Sequence, residues 1–287
     1  MAPKVASAFK PLLVLLSVSA IARGAPPVIN DSALLASFQK GVGAFAGKDG
    51  IPSADDLAKS SAGEIAPGGK LDVPAARAAG DHYNELSKSV FLVGSVYKCE
   101  KCDHWHSGGI ATAWCLSEDG LMVTNAHVFA KAKGAGMGIC DRDGKCYPVT
   151  EVLAADPHAD IALFRVDGEG FQPLALGTAA EVGTDVSVIS NPDRHYFTRT
   201  SGEVSRYCQT PAHGDKKATT WMSITADYAR GSSGGPVFNP AGEVVGMVAT
   251  TQTIYYGSDK ANDQGPVQMV VKNCVPVDAI RRLLAPE

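Results

Sequence analysis

Beyond its first two dozen residues, the 287-residue sequence has no apolar run near the roughly twenty residues that cross a bilayer. It also lacks an excess of positive charge: 26 Lys and Arg stand against 30 Asp and Glu, a formal net charge of -4, and no long basic run occurs. That balance leaves no electrostatic footprint for nucleic acid. Internal repeats are missing, as is low complexity outside an Ala-, Gly-, Pro- and Ser-rich stretch over 25–80. Neither a nucleic-acid partner, nor a cofactor or metal, nor a membrane span in the mature chain is expected. A hydrophobic content of 45% over this length suffices for one large or two small globular domains.

What the N-terminus does contain is Lys4 and Lys10 ahead of an apolar stretch from Leu12 to about Ala22, followed by small residues and prolines. This is the pattern of a secretory signal, assigned to 1–24, with three candidate cleavage sites around Ala20, Ala22 and Gly24. It predicts a secreted or periplasmic protein in which disulfides are permitted. Seven cysteines follow, so at least one is unpaired. In "GICDRDGKCYPV" a three-residue loop of Arg142, Asp143 and Gly144 sets Cys140 opposite Cys146, and a disulfide is predicted there.

Residues 25–85 read as a loosely ordered, weakly helical extension, with "DSALLASFQK" and "SADDLAK" opened by Asp or Ser cap candidates. "AARAAGDHYNELSKS" has a helical texture. From Val90 onward come eleven short runs rich in Val, Ile, Thr and aromatics, separated by Gly, Asp, Asn and Pro. Such spacing indicates an all-β sandwich or barrels rather than alternating β and α units. The closing "VPVDAIRRLL" places Val277, Ile280, Leu283 and Leu284 at helical spacing.

The chemistry is concentrated in "DYARGSSGGPVF". A serine hydroxyl is a poor nucleophile at neutral pH; it needs a base within reach and donors for the oxyanion that forms after attack. Glycines around Ser233 allow the N–H groups of Gly231 and Ser233 to point into one hollow, with Ser232 as filler. His127, in "GLMVTNAHVFA", follows a β-rich run ending in small residues and can emerge at a strand end as the base. Asp160, directly before the apolar strand Ile161 to Phe164, is costly there unless an imidazole N–H and backbone donors bind it. Asp156, before Pro157, reads instead as a turn residue.

The order His, Asp, Ser on an all-β background, in "SEDGLMVTNAHV", "DPHADIAL", "SNPDRHYFTRTSGEVS" and "GSSGGPVFNPAGEVVGMV", resembles the trypsin-like serine peptidases of the chymotrypsin superfamily, and within them the HtrA-type and related compact bacterial branch. The resemblance covers most of Val90 to Leu284. It implies two six-stranded antiparallel barrels over 86–287 with the catalytic groups in the cleft between them, His127 and Asp160 from the first and Ser233 from the second. It further implies endopeptidase action on proteins or peptides through an acyl-enzyme.

The departures from the family carry expectations too. Ser232 stands where vertebrate trypsins carry the aspartate that pairs with a newly cut N-terminus, so activation of that kind is not expected. The sequence ends at Glu287, soon after the last helix, so a PDZ-controlled cage is not expected either. Asp227, six positions before Ser233, is where trypsins bind Lys or Arg; it is a candidate substrate-binding residue, with a structural bond to backbone or Arg230 as the alternative. In "YKCEKCDHWHSGG", Cys99, Cys102, His104 and His106 have the donor types of a zinc site, while export favours a disulfide or redox pair over thiolate ligation. A catalytically silent binding protein of the same fold is the alternative function, and its signature, a missing triad residue, is not found. Esterase chemistry is open in principle, although the esterase elbow belongs to an α/β sheet.

Overall fold

The structure, a computed structural model of the chain, describes residues 28–211, 218–256 and 265–285, except positions 72, 74, 75, 77, 79 and 81. The signal segment assigned to 1–24 lies outside the described residues. Among the described residues, twelve strands form two closed antiparallel barrels of six. The first contains β1 (Val90–Lys98), β2 (Trp105–Cys115), β3 (Leu121–Thr124), β4 (Gly136–Cys140), β5 (Cys146–Asp156) and β6 (Ile161–Val166), in the order β1-β2-β3-β6-β5-β4. The second contains β7 (Asp185–Ser190), β8 (Thr198–Thr210), β9 (Thr219–Ile224), β10 (Pro236–Phe238), β11 (Val244–Tyr255) and β12 (Val267–Pro276), in the order β10-β11-β12-β9-β8-β7. Closure leaves neither barrel with a free edge running its full length.

Burial explains the barrels. Along β1, Phe91 and Val93 pack with Ala113, Met122 and Phe164 inside the first barrel, while Val90 and Leu92 point the other way. That second face joins a continuous cluster with Trp114, Ile189, Phe238 and Met247, residues of both barrels. The period-2 pleat thus fills a barrel with one set of side chains and binds the barrels together with the other. Val188, Val204, Met222, Ile224 and Val237 fill the second barrel. At the β4–β5 hairpin, Cys140 and Cys146 face each other in register and are joined by a disulfide, with Gly144 at φ 84° in the turn.

The segment before the barrels is more ordered than its composition suggests. Helix α1 (Asp31–Gly43) begins at Asn30, whose side chain accepts from the Ala33 N–H, rather than at the Asp31 read from the sequence. Leu34, Phe38 and Val42, spaced by four, are buried against the first barrel. Gly41 and Gly43 let the helix approach Cys146 and the Trp105 ring, which an added Cβ at either position would strike. Helix α2 (Ala54–Ser60) is capped by Ser53, and Ile65 pairs with Ala155 on the barrel. The helix expected before β1 is reduced among the described residues to α3 (Tyr83–Leu86) and a single 3-10 turn, Ser87–Ser89. Helix α4 (Ala126–Ala130) follows β3, and α5 (Val277–Leu284) closes the described chain with Val277, Ile280 and Leu284 buried.

Phe38 is fully buried, and truncating a buried Phe removes its transfer energy and leaves a cavity. Phe38→Ala is expected to cost about 3–5 kcal/mol. Urea unfolding should show a lower midpoint with an unchanged slope; a midpoint equal to the parent's would mean that α1 is not part of the cooperative fold.

Candidate active site

Asp160, His127 and Ser233 meet at the junction of the barrels. His127 sits in α4, directly beyond the end of β3, and Phe129 anchors that short helix by burying its ring edge-on against Phe164, centroids 5.2 Å apart. Asp160 occupies the turn before β6 with φ 59°, a left-handed conformation that Asp tolerates better than most residues. Asn125 fixes it there by donating to the Asp160 carbonyl at 2.9 Å. The Asp160 carboxylate then accepts twice from His127: Oδ1 from the backbone N–H at 3.0 Å, Oδ2 at 2.8 Å from ring atom Nδ1. Its side chain is 13% exposed, so these two bonds offset much of what burial of a carboxylate costs. On the other edge of the ring, His127 Nε2 lies 3.0 Å from Ser233 Oγ. With Nδ1 committed as donor to the carboxylate, Nε2 is left with a lone pair facing the hydroxyl.

The turn that carries Ser233 is fixed by contacts to the opposite barrel. Thr112 of β2 donates its N–H to the Ser233 carbonyl at 2.9 Å and its hydroxyl to the Gly231 carbonyl at 3.0 Å. The same hydroxyl accepts from the backbone N–H and side-chain amide of Asn191, each at 3.1 Å. Asn191, buried at the end of β7, also donates to the carbonyls of Phe91 and Ala111 and accepts from the Phe197 N–H. Two glycines are required here. Gly231 has φ 96° and an added Cβ would strike the Asn191 carbonyl; Gly234 has φ 85° and would strike the Thr112 carbonyl and Thr124 hydroxyl. Among the described residues, no acceptor takes the N–H of Gly231 or of Ser233. Ser232 is fully buried and accepts from the Ser190 hydroxyl at 2.9 Å, the structural part the sequence assigned to it.

Other residues singled out in the sequence lie apart from this chain of bonds. Asp156 Oδ1 accepts from the N–H groups of His158 and Ala159, the turn-capping part read for it. Asp227 does not occupy a buried pocket: its side chain is 84% exposed and its carboxylate is 2.8 Å from Lys272, not Arg230. The chain turns there so that Tyr228, not Asp227, points inward, with its one hydroxyl proton shared between the carbonyls of Thr250 and Asn273, an in-register pair across β11 and β12. Burial pushes the Tyr228 hydroxyl well above its ordinary range, and burial likewise pushes the neighbouring Cys274 thiol up to about 12, so both remain neutral. Beside the Ser233 and His127 side chains lies a hollow of about 230 Å³ walled by Ser95, Ile110, Val128, Met137 and Arg230.

Thr112, Asn125 and Asn191 were not singled out in the sequence. The available signal is modest: Thr112 is a polar residue inside the apolar run "GIATAWCL", and Asn191 ends the run "DVSVISN". Each becomes interpretable only when its partners, dozens of residues away, are known.

Residues 111–247 match the trypsin-like peptidase domain family. Over 238 residues the chain is 31% identical to the serine protease PepD of Mycobacterium tuberculosis, covering 78% of this chain and 50% of that protein. It is also 31% identical over 140 residues to a probable periplasmic serine endoprotease, DegP-like, of Pseudomonas fluorescens, covering 48% of this chain and 28% of that protein. The chain therefore spans half or less of the length of these curated relatives. Family match, barrel topology and the order of the motifs together identify a trypsin-like serine peptidase domain in this chain.

Proposed function

We propose that the protein is an exported serine endopeptidase that cleaves protein or peptide substrates through Ser233, His127 and Asp160. The observation that carries this reading is the unbroken line Asp160 Oδ2, His127 Nδ1, His127 Nε2, Ser233 Oγ, with successive polar contacts of 2.8 and 3.0 Å across two barrels. His127 Nε2 takes the hydroxyl proton as Ser233 Oγ attacks the scissile carbonyl, and Asp160 stabilises the imidazolium that results. The oxyanion lies within reach of the uncommitted N–H groups of Gly231 and Ser233. His127 returns the proton to the leaving amine, the acyl group remains on Ser233, and the same imidazole then activates the water that releases it. Two observations support export: the N-terminal signal pattern and the Cys140–Cys146 disulfide, which needs an oxidising compartment to persist. No helix among the described residues is long and apolar enough to cross a membrane.

The decisive experiment is labelling with a fluorophosphonate followed by peptide mapping. Modification of Ser233 in the parent, none in His127→Ala, and a casein-degrading rate reduced by about a million-fold in Ser233→Ala are expected. Modification elsewhere, or an Ser233→Ala protein as active as the parent, overturns the assignment.

Thr112 acts on the reaction only through the nucleophile turn and is a positioning residue. Thr112→Val keeps the volume but removes the bond to Gly231 and leaves the Asn191 backbone N–H without its acceptor, so kcat should fall by ~100-fold with little change in KM. Thr112→Ser should restore most of the rate, and a shift confined to KM would show that the clasp does not serve the turn.

Asp227 is exposed and paired with Lys272, so it is not a buried carboxylate awaiting a cationic side chain. Chromogenic peptides with Arg before the scissile bond should be cut no faster than those with Val, and a preference for Arg lost in Asp227→Asn would restore the trypsin-like reading.

A further inference from the structure

At the tip of the β1–β2 hairpin, outside the chain of bonds described above, three soft or borderline donors converge. Cys99 Sγ lies 3.2 Å from Cys102 Sγ, and His106 Nε2 lies 3.3 Å from the first and 3.0 Å from the second. All three residues are half-buried. The sulfurs are not bonded to each other: a disulfide requires about 2.05 Å, and in the same molecule Cys140 and Cys146 are joined. A disulfide or dithiol redox pair also needs only two residues. It gives no reason for an imidazole nitrogen to sit over the midpoint of the pair.

We infer that Cys99, Cys102 and His106 form a zinc site. Two thiolates and one imidazole are the ligand set that selects zinc over calcium or magnesium, which take oxygen. A tetrahedral zinc with bonds of about 2.3 Å to sulfur and about 2.0 Å to nitrogen spaces its donors about 3.5–3.8 Å apart, so the triangle opens by roughly half an ångström to receive it. Binding displaces the two thiol protons to solvent and leaves a fourth corner for water. His104, exposed in the same loop, lies outside the group.

The surroundings support a built site rather than a chance encounter. His106 opposes Tyr97 in the ladder, and the two rings stack with centroids 5.5 Å apart, which fixes the imidazole plane. The next pair, Lys98 and Trp105, places the ammonium 5.1 Å from the indole centroid, and Trp105 in turn packs against Gly43 of α1. Three residues from His106, Gly109 joins Ser95 in walling the hollow beside Ser233. An ion tying the loop residues Cys99 and Cys102 to His106 of β2 would therefore hold the hairpin whose inner half borders that hollow.

The test uses the full chain purified without chelator. Elemental analysis should find about one zinc per chain, and replacement with cobalt should give the near-ultraviolet thiolate-to-cobalt charge-transfer band and the visible bands of a tetrahedral centre. Cys99→Ser and His106→Ala should each weaken zinc binding by at least the ~100-fold that loss of an outer-shell partner can cost, whereas His104→Ala should bind as the parent does. Because the parent spectrum decides by itself, misfolding of a variant leaves the inference testable. A parent chain with neither zinc nor a cobalt–thiolate band, or peptide mapping that finds Cys99 joined to Cys102 in the metal-free protein, overturns it.

Discussion

One threonine of the first barrel holds the Ser233 turn of the second. Thr112 binds the Ser233 and Gly231 carbonyls with its N–H and hydroxyl, and Asn191 locks that hydroxyl from behind. Thr112 and Asn191 are buried, where a polar atom without a partner costs about 1–3 kcal/mol. The set is therefore satisfied together or lost together, which gives the interbarrel junction one geometry. The position of Ser233 relative to His127 depends on that geometry, because the two residues belong to different barrels and the apolar packing between those barrels is non-directional.

The opposite side of the junction solves an electrostatic problem. A carboxylate at the mouth of a buried strand is tolerable only with strong donors, and Asp160 receives two from His127 while Asn125 holds its backbone in a left-handed conformation. The same bonds that offset its desolvation fix the imidazole's orientation and tautomer. One arrangement thus settles both the burial of the carboxylate and the pose of the imidazole, with strain localised at Asp160. Near the Ser233 turn, Tyr228 and Cys274 are buried and neutral, while exposed Asp227 pairs with the largely buried Lys272.

The N-terminal segment shows how composition can understate order. Ala, Gly and Ser give α1 little apolar surface of its own, and the sequence alone reads as loose. Yet Leu34, Phe38 and Val42 form one stripe, and the small residues let that stripe lie directly on β1, β2, β4 and β5. Its stability comes from the barrel surface it covers rather than from helix propensity. The disulfide between Cys140 and Cys146, at the hairpin beneath this helix, was legible in the sequence because its loop is only three residues long and Gly144 supplies the required positive φ.

Local chemistry determined a good deal by itself. Strand-forming runs at short spacing dictated an all-β chain, and a serine among glycines, a histidine after a strand and an aspartate before one pointed to the three residues that meet at the interbarrel junction. Resemblance of these motifs to a known family supplied the two-barrel arrangement. Tertiary structure alone decided the rest: which way the chain turns at Asp227 and Tyr228, which polar residues of the strands act as clasps, and whether Cys99, Cys102 and His106 converge. The physical reason is that sequence reports each side chain's intrinsic preferences, whereas a hydrogen bond, an ion pair or a ligand sphere belongs to two or more groups whose distance is set only when both barrels close.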